Sequence, residues 1–144
     1  LLNIALGSKN LEKATAILEV IGEKFGHTHQ QVVQLGVVHE AMGDMEAAIS
    51  YYTKALKIEP SSTDLLYRLA KAYQESGDFI QAKNYYEALV ETGSAYPDLF
   101  TALGLLYEEM DMPGQAIDCY ELAEFRGALS SESMKRKLVL CNRL

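Results

Sequence analysis

The fold is decided by residues 32–60, which read VVQLGVVHEAMGDMEAAISYYTKALKIEP. The same pattern of apolar, small and aromatic residues returns 34 positions later, and again 34 positions after that. The residues that recur in register include Leu35, Leu69 and Leu103 and, further along each copy, Tyr52, Tyr86 and Tyr120. A strict period of this length is typical of repeat proteins, in which each copy is one supersecondary unit.

Each copy is predicted to form two helices joined by a short turn. In the first complete copy, apolar residues follow a helical period over about 30–42 and again over about 45–58. Gly43-Asp44 lies between these stretches, and a turn this short fits an antiparallel helical hairpin. Small residues in both helices allow their axes to approach closely. These residues are Gly36 with Ala48, Ala70 with Ala82, and Gly104 with Ala116.

The period divides the chain into a partial copy, three complete copies and a final helix. We expect the partial copy over 1–28, complete copies over 29–62, 63–96 and 97–130, and the final helix over 131–144. The final helix is either a cap or the first helix of a further repeat, and its predicted core face carries Met134, Leu138 and Cys141. Because one hairpin cannot bury its apolar face alone, consecutive copies are expected to stack. A chain that starts inside a copy, without Met, is expected to be a segment of a larger protein.

Tyrosines and cysteines are interpreted as packing residues. Seven of the nine tyrosines occupy repeat-related positions, namely Tyr51, Tyr52, Tyr73, Tyr85, Tyr86, Tyr107 and Tyr120. Cys119 and Cys141 fall at core-like positions of predicted helices, where cysteine behaves as a small hydrophobic residue. Two cysteines do not form a disulfide framework, so we expect a reducing, cytoplasmic setting, with nuclear or ciliary association left open.

The recurring pattern resembles the tetratricopeptide repeat, with an apolar or aromatic residue, Leu-Gly, Tyr, and then Ala, Tyr, Ala and Pro at fixed offsets. Three departures are Val32, where the family often has Trp, His39 in place of Tyr, and Leu138 in place of a small residue. The resemblance implies an all-α, right-handed α-solenoid of antiparallel helix-turn-helix hairpins. It also implies a module that binds peptides or helical segments of partner proteins in a concave groove lined by the first helix of each repeat.

The helical wheel gives an independent reason to expect binding on the first helices. At 100° per residue, Val33 and Val37 fall well away from the core stripe of their helix, where solvent alone would not favour two valines. The alternative is that these valines pack on the neighbouring repeat. The candidate partner-binding residues on this concave face are Val33, Gln34, Val37, Tyr67, Arg68, Lys71, Thr101, Leu105 and Glu108. Arg68 and Lys71 alone do not match the clamp with which some members of the family hold a chaperone's acidic tail, so we do not expect that activity.

Charge and hydropathy limit the other classes of partner. The net charge of −7 disfavours binding to nucleic acid or to an anionic membrane. This charge is uneven, because the segment from Leu129 onward holds four Lys and Arg residues against one Glu, whereas the preceding residues hold nine against 19 Asp and Glu. No stretch is long and apolar enough for a transmembrane helix. We therefore expect protein partners, with neither nucleic acid nor membrane among them.

No constellation of residues in the sequence predicts an enzyme. His27 and His29 are expected at a helix junction and His39 in a core stripe, and no Cys, Asp or Glu joins them at metal-ligand spacing. We therefore predict no catalytic residue, no metal site and no cofactor. The main alternatives to a binding module are a structural spacer within a long solenoid of a multi-subunit complex and a non-catalytic part of a multidomain enzyme.

Self-association through the ends of the solenoid is a further expectation. The second helix of the partial copy carries Ile17, Leu18 and Ile21 on an apolar face. An apolar face at the end of a repeat array tends to stack on another copy.

Overall fold

In a computed structural model, residues 8–94, 96 and 98–144 of the chain are described. These residues form eight α-helices joined by turns and short loops. The helices are α1 Ser8–Phe25, α2 His29–Ala41, α3 Met45–Ile58, α4 Thr63–Ser76, α5 Phe79–Glu91, α6 Leu99–Glu109, α7 Pro113–Phe125 and α8 Ser131–Arg143. The prediction of an all-α fold built from helical hairpins is confirmed, while residues 1–7 of the predicted partial copy lie outside the described residues.

Local sequence signals explain where the helices begin and end. Asp44 caps α3 by accepting a hydrogen bond from the backbone N–H of Ala47 at 3.2 Å, and Asp78 caps α5 in the same way. Gly43 and Gly77, which precede these caps, have φ angles of 80° and 85°, a region that glycine adopts without steric penalty. The Gly-Asp pair therefore both stops one helix and starts the next.

The chain divides into two compact units, the first ending at Gly77 and the second beginning at Asp78. In unit 1, α1 packs on α2, α2 on α3, and α3 on α4. Its buried apolar residues are Leu11, Val32, Leu35, Val38, Ala48, Tyr52, Ala55, Leu65, Leu66, Leu69, Ala70 and Ala72. In unit 2, α5 packs on α6, α6 on α7, and α7 on α8.

The same small-to-large contact closes one hairpin in each unit. A Cβ atom added to Gly36 would lie 2.5 Å from Cε1 of Tyr52, and one added to Gly104 would lie 2.5 Å from Cε1 of Tyr120. Such distances leave no room for any side chain larger than that of glycine unless the tyrosine moves. The predicted close approach of the two helices is therefore set by a tyrosine ring lying directly on a glycine.

The buried face of α2, α4 and α6, which are the first helices of their repeats, is wider than the single line of core residues predicted from the sequence. Val38, Ala72 and Leu106 are almost fully buried, although they lie outside that stripe. A middle helix of a stack contacts both its hairpin partner and the preceding helix, so two lines of residues are buried instead of one. A single-stripe interpretation of the sequence misses the second line.

Two interpretations of core residues were wrong in part. Tyr52, Tyr86, Tyr107 and Tyr120 are buried, but Tyr51, Tyr73 and Tyr85 are only half-buried. In α8 the predicted core face is exposed, including Cys141, and Ser133 and Leu140 are buried instead. The first helix of a repeat has two packing faces, one toward the helix before it and one toward the second helix of its own hairpin. Helix α8 packs on the preceding helix, α7, so the buried face is the one that carries Ser133 and Leu140.

Candidate protein-binding surface

Six of the predicted binding residues lie on α2 and α4 in unit 1, and together they form what we call the α2/α4 surface. They are Val33, Gln34, Val37, Tyr67, Arg68 and Lys71. The first five are half-buried and Lys71 is exposed. Val33 and Val37 are thus partly exposed, outside the fully buried core. They lie about one helical turn apart on α2.

A shallow cavity of about 200 Å³ opens beside the beginning of α2 and α4. Its lining residues are His29, Gln30, Val33, Ser62, Asp64 and Leu65. Among these lining residues Leu65 is apolar and buried, whereas Gln30 and Asp64 are polar and exposed. Only Val33 among these residues was predicted from the sequence. Gln30 and Asp64 could have been considered together, because they occupy the same repeat position, 34 residues apart.

The guanidinium of Arg68 is held by acidic side chains of its own unit. Its Nε donates a hydrogen bond to Asp64 Oδ2 at 2.9 Å, and its Nη1 lies 3.9 Å from Glu40 Oε2. Burial opposes the charge of Arg68, but the hydrogen bond and charge of Asp64 outweigh burial and raise the pKa of the guanidinium. The hydroxyl of Tyr52 donates to the same Glu40 carboxylate.

The other three predicted residues lie on α6 in unit 2. Thr101, Leu105 and Glu108 are all half-buried. Glu108 accepts a hydrogen bond from the Tyr120 hydroxyl at 2.5 Å, and its Oε2 also accepts from Nη1 of Arg136 at 3.4 Å. This carboxylate is therefore engaged in the packing of unit 2.

Unit 2 contains the same polar contacts as unit 1, made by residues whose sequence numbers are higher by 68, which is two repeat periods. The matching residues are Tyr52 and Tyr120, Glu40 and Glu108, Arg68 and Arg136, and Asp64 and Glu132. Burial, followed by the hydrogen bond to the carboxylate, raises the pKa of both tyrosine hydroxyls. This network was not predicted from the sequence, although charged residues at 68-residue spacing would have indicated it.

A second cavity, of about 310 Å³, lies elsewhere in unit 1. Its lining residues are Glu19, Glu23, His27, Val32, Tyr51 and Lys54. The hydroxyl of Tyr51 donates to Glu19 at 3.2 Å, the ammonium of Lys54 lies 5.0 Å from the centre of the Tyr51 ring, and the His39 ring stacks on that ring. These mutual contacts make the cavity a polar packing region between α1 and the first complete hairpin.

The described parts of the chain contain no group of three or more His, Cys, Asp or Glu residues that could hold a metal ion. None of the helices in those parts has the length and apolar character needed to cross a membrane.

Residues 40–106 match the family model of the tetratricopeptide repeat. This stretch is a tetratricopeptide-repeat segment. It includes α3, α4 and α5 and extends almost to the end of α6. The resemblance seen in the sequence is thereby confirmed. No curated protein sequence matches the chain.

Solved structures of tetratricopeptide-repeat proteins share the fold of this chain. One is the TPR domain of Sgt2 from Aspergillus fumigatus, at 23% identity, covering 80% of this chain and 78% of that one, with a TM-score of 0.69. A second is a tetratricopeptide repeat protein from Parabacteroides merdae, at 21% identity, covering 92% of this chain and 53% of that one, with a TM-score of 0.82. A third is the first TPR of Spaghetti (RPAP3) bound to an HSP90 peptide, at 18% identity, covering 80% and 91%, with a TM-score of 0.71.

Proposed function

We propose that this tetratricopeptide-repeat chain is a protein-interaction module that binds a peptide or helical segment of a partner on the α2/α4 surface. The observation that carries the proposal is the cavity beside α2 and α4, which is lined by the half-buried Val33 and the buried Leu65. A cavity that combines buried apolar and exposed polar lining residues is the usual form of a site that anchors one side chain of a peptide. The peptide-bound structure of the first TPR of RPAP3 supports the proposal by analogy of fold.

The proposed ligand carries apolar anchors spaced to meet Val33 and Val37. The contacts that Arg68 already makes with Glu40 and Asp64 limit the charge that we expect on the ligand. Since Asp64 and Glu40 already hold Arg68, Lys71 is the cation of this surface whose exposed ammonium is best placed to meet an acidic ligand residue. A ligand with apolar side chains and one acidic residue fits this surface better than a densely acidic tail.

On α6 in unit 2, Leu105 and Thr101 are proposed as a second, separate contact surface. The carboxylate of Glu108 is already hydrogen-bonded to Tyr120 and Arg136. We therefore propose that Glu108 shapes this surface and does not bind a charged group of the ligand. A reducing compartment is proposed for the protein, because Cys119 and Cys141 are both free thiols.

The experiment begins with a peptide-display selection against the 144-residue chain, followed by calorimetric titration of the selected peptide. The test variant carries Val33→Gln and Val37→Gln, and the control carries Val20→Gln, a change at a valine of α1 that is 61% exposed. We expect the test variant to bind at least about tenfold more weakly, the usual effect of losing interface anchors. The control should bind like the parent chain.

Circular dichroism of both variants verifies that the helices remain. Equal binding by the test variant and the parent chain would place the site elsewhere. Failure to select any peptide would favour a spacer role for this segment.

A further inference from the structure

Arg68 of the α2/α4 surface is contacted by two carboxylates that are held in different ways. The Nη1 atom of Arg68 lies 3.9 Å from Glu40 Oε2, and the hydroxyl of the fully buried Tyr52 donates to this glutamate. Glu40 is therefore fixed by the packing of the α2–α3 hairpin. The Oδ2 atom of Asp64 accepts a hydrogen bond from Arg68 Nε at 2.9 Å, and the aspartate side chain is 55% exposed. Asp64 is thus the acid of this pair that a ligand can reach from solvent.

Asp64 also borders the cavity in which an anchor of the ligand is proposed to lie. It lines that cavity together with Val33 and Leu65. Arg68 follows one helical turn later on α4, and its side chain is 35% exposed. A ligand seated at the cavity would therefore bring its own groups close to the bond between Asp64 and Arg68.

The charges around Arg68 disfavour a further carboxylate at this point. One arginine faces one aspartate and one glutamate, which leaves the three side chains with a net charge of −1. A ligand carboxylate that approached Arg68 would have to displace Asp64 or lie beside two like charges. Like charges within a few ångströms repel each other, and this repulsion is screened less at partly buried sites than in bulk solvent.

Lys71 gives the same surface a positive charge that is not neutralised in this way. It lies three residues after Arg68 on α4, is exposed, and forms no ion pair within the part of the chain that the structure describes. One acidic residue of a ligand can therefore pair with Lys71. A second acidic residue would have to pair with Arg68 and would meet the two carboxylates there.

Unit 2 shows that the packing of the repeats does not require the close bond from Asp64. The equivalent Nε atom, which belongs to Arg136, lies 3.8 Å from Glu132, and α8 still packs on α7. Each arginine contacts a glutamate of another helix, but only in unit 1 is the acid four residues earlier held at 2.9 Å. The close bond is therefore a feature of the α2/α4 surface and not of the repeat.

We propose that Asp64 is the residue that determines the charge preference of the α2/α4 surface. By occupying the guanidinium of Arg68, its carboxylate admits a ligand with one acidic residue beside the apolar anchors and rejects a ligand with several. This inference rests on the proposed binding at the same surface. If Asp64 only stabilised the first turn of α4 through the helix dipole, its replacement would change stability and leave the charge preference as it is.

Parallel selections from one random-peptide display library test this role. The baits are the parent chain, an Asp64→Asn variant, which keeps the shape of the side chain but removes its charge, and a Glu75→Gln control. Glu75 is an exposed acid of the same helix that forms no ion pair within the described residues. We expect the peptides selected on Asp64→Asn to carry more Asp and Glu than those selected on the parent chain or on the control.

A double-mutant cycle tests whether the change acts through Arg68. One acidic peptide from the Asp64→Asn selection is titrated calorimetrically into the parent chain, Asp64→Asn, Arg68→Gln and the variant that combines both changes. Asp64→Asn should bind this peptide about three- to fivefold more tightly than the parent chain, which is the size of an exposed ion pair. The combined variant should lose that gain, and high salt should reduce it.

Three results would overturn the role of Asp64: equal acid content in the peptides selected on all three baits, equal enrichment on Glu75→Gln and Asp64→Asn, or a gain that persists without Arg68. The Val33→Gln, Val37→Gln variant separates these results from a failure of the proposed binding. It should still weaken binding of the selected peptides if only the role of Asp64 is wrong, and it should have no effect if the site itself is wrong. Selections that yield no peptide on any bait would overturn both proposals. Circular dichroism verifies that each variant is folded.

Discussion

The hairpin α2–α3 of unit 1 and the hairpin α6–α7 of unit 2 share their central contact but differ in their turns. Both place a tyrosine ring on a glycine and bond its hydroxyl to a glutamate. The first hairpin turns through Gly43-Asp44, with Asp44 as the cap of α3. The second turns through Asp111-Met112, without a side-chain cap, and its Asp111 has a φ angle of 56°. The interhelical contact therefore defines the hairpin, whereas the turn can be replaced.

If the central contact defines both hairpins, its removal should destabilise the chain more than any change in a turn or at the surface. Tyr52→Ala and Tyr120→Ala each delete a fully buried ring. We expect each to lower the free energy of unfolding by about 3–5 kcal/mol, the usual loss for a large aromatic side chain replaced by alanine in a core. Hydrogen exchange read by mass spectrometry should show the loss of protection mainly in the hairpin that carries the change. A loss below about 1 kcal/mol in either hairpin would mean that the shared contact is not what holds it.

The turns should respond in opposite directions to reciprocal changes. Asp111→Gly removes a side chain from a left-handed backbone conformation and should raise the free energy of unfolding by about 0.5–1 kcal/mol. Gly43→Asp introduces the same strain into the other hairpin, at a φ of 80°. It should lower the free energy of unfolding by about 1 kcal/mol. Urea denaturation of the two variants beside the parent chain measures both shifts. Two changes of the same sign would show that the turns are not comparable.

Much of this architecture could be predicted from the sequence, because the period fixes which residues share a helix face. The turn at Gly43-Asp44 followed from residue type, and the burial of Leu35 and Tyr52 followed from spacing. The second buried line, at Val38, Ala72 and Leu106, could not be assigned from a single helix, since it depends on which neighbour each helix meets. For the same reason the sequence pattern placed the wrong face of α8 in the core.

The candidate surface was predictable only in part. The off-stripe position of Val33 is a property of one helix, and the structure places this residue in the cavity. The engagement of Arg68 depends on Asp64 in the same helix and on Glu40 in another, and the second contact requires the helices to be packed. The sequence predicted Arg68 as a binding residue, whereas in the structure its guanidinium contacts acidic side chains of unit 1.

Arg68 of unit 1 and Arg136 of unit 2 occupy equivalent positions, and their replacement should give the smallest change in the free energy of unfolding. Arg68 and Arg136 each contact one glutamate of another helix and one acid four residues earlier, and both are about one-third to one-half exposed. Because exposed ion pairs contribute little, Arg68→Gln and Arg136→Gln should each lower the free energy of unfolding by less than about 1 kcal/mol.

Arg68 should matter more than Arg136 on direct comparison, since its Nε lies 2.9 Å from Asp64 whereas the Nε of Arg136 lies 3.8 Å from Glu132. Thermal unfolding at low and high salt measures the difference, and salt should reduce both effects by screening. If Arg136→Gln proved the more destabilising variant, the interhelical bond from Arg136 to Glu108 at 3.4 Å would outweigh the bond that Arg68 makes within its own helix. The docking of α8 on α7 would then depend on that charge pair as well as on the burial of Leu140.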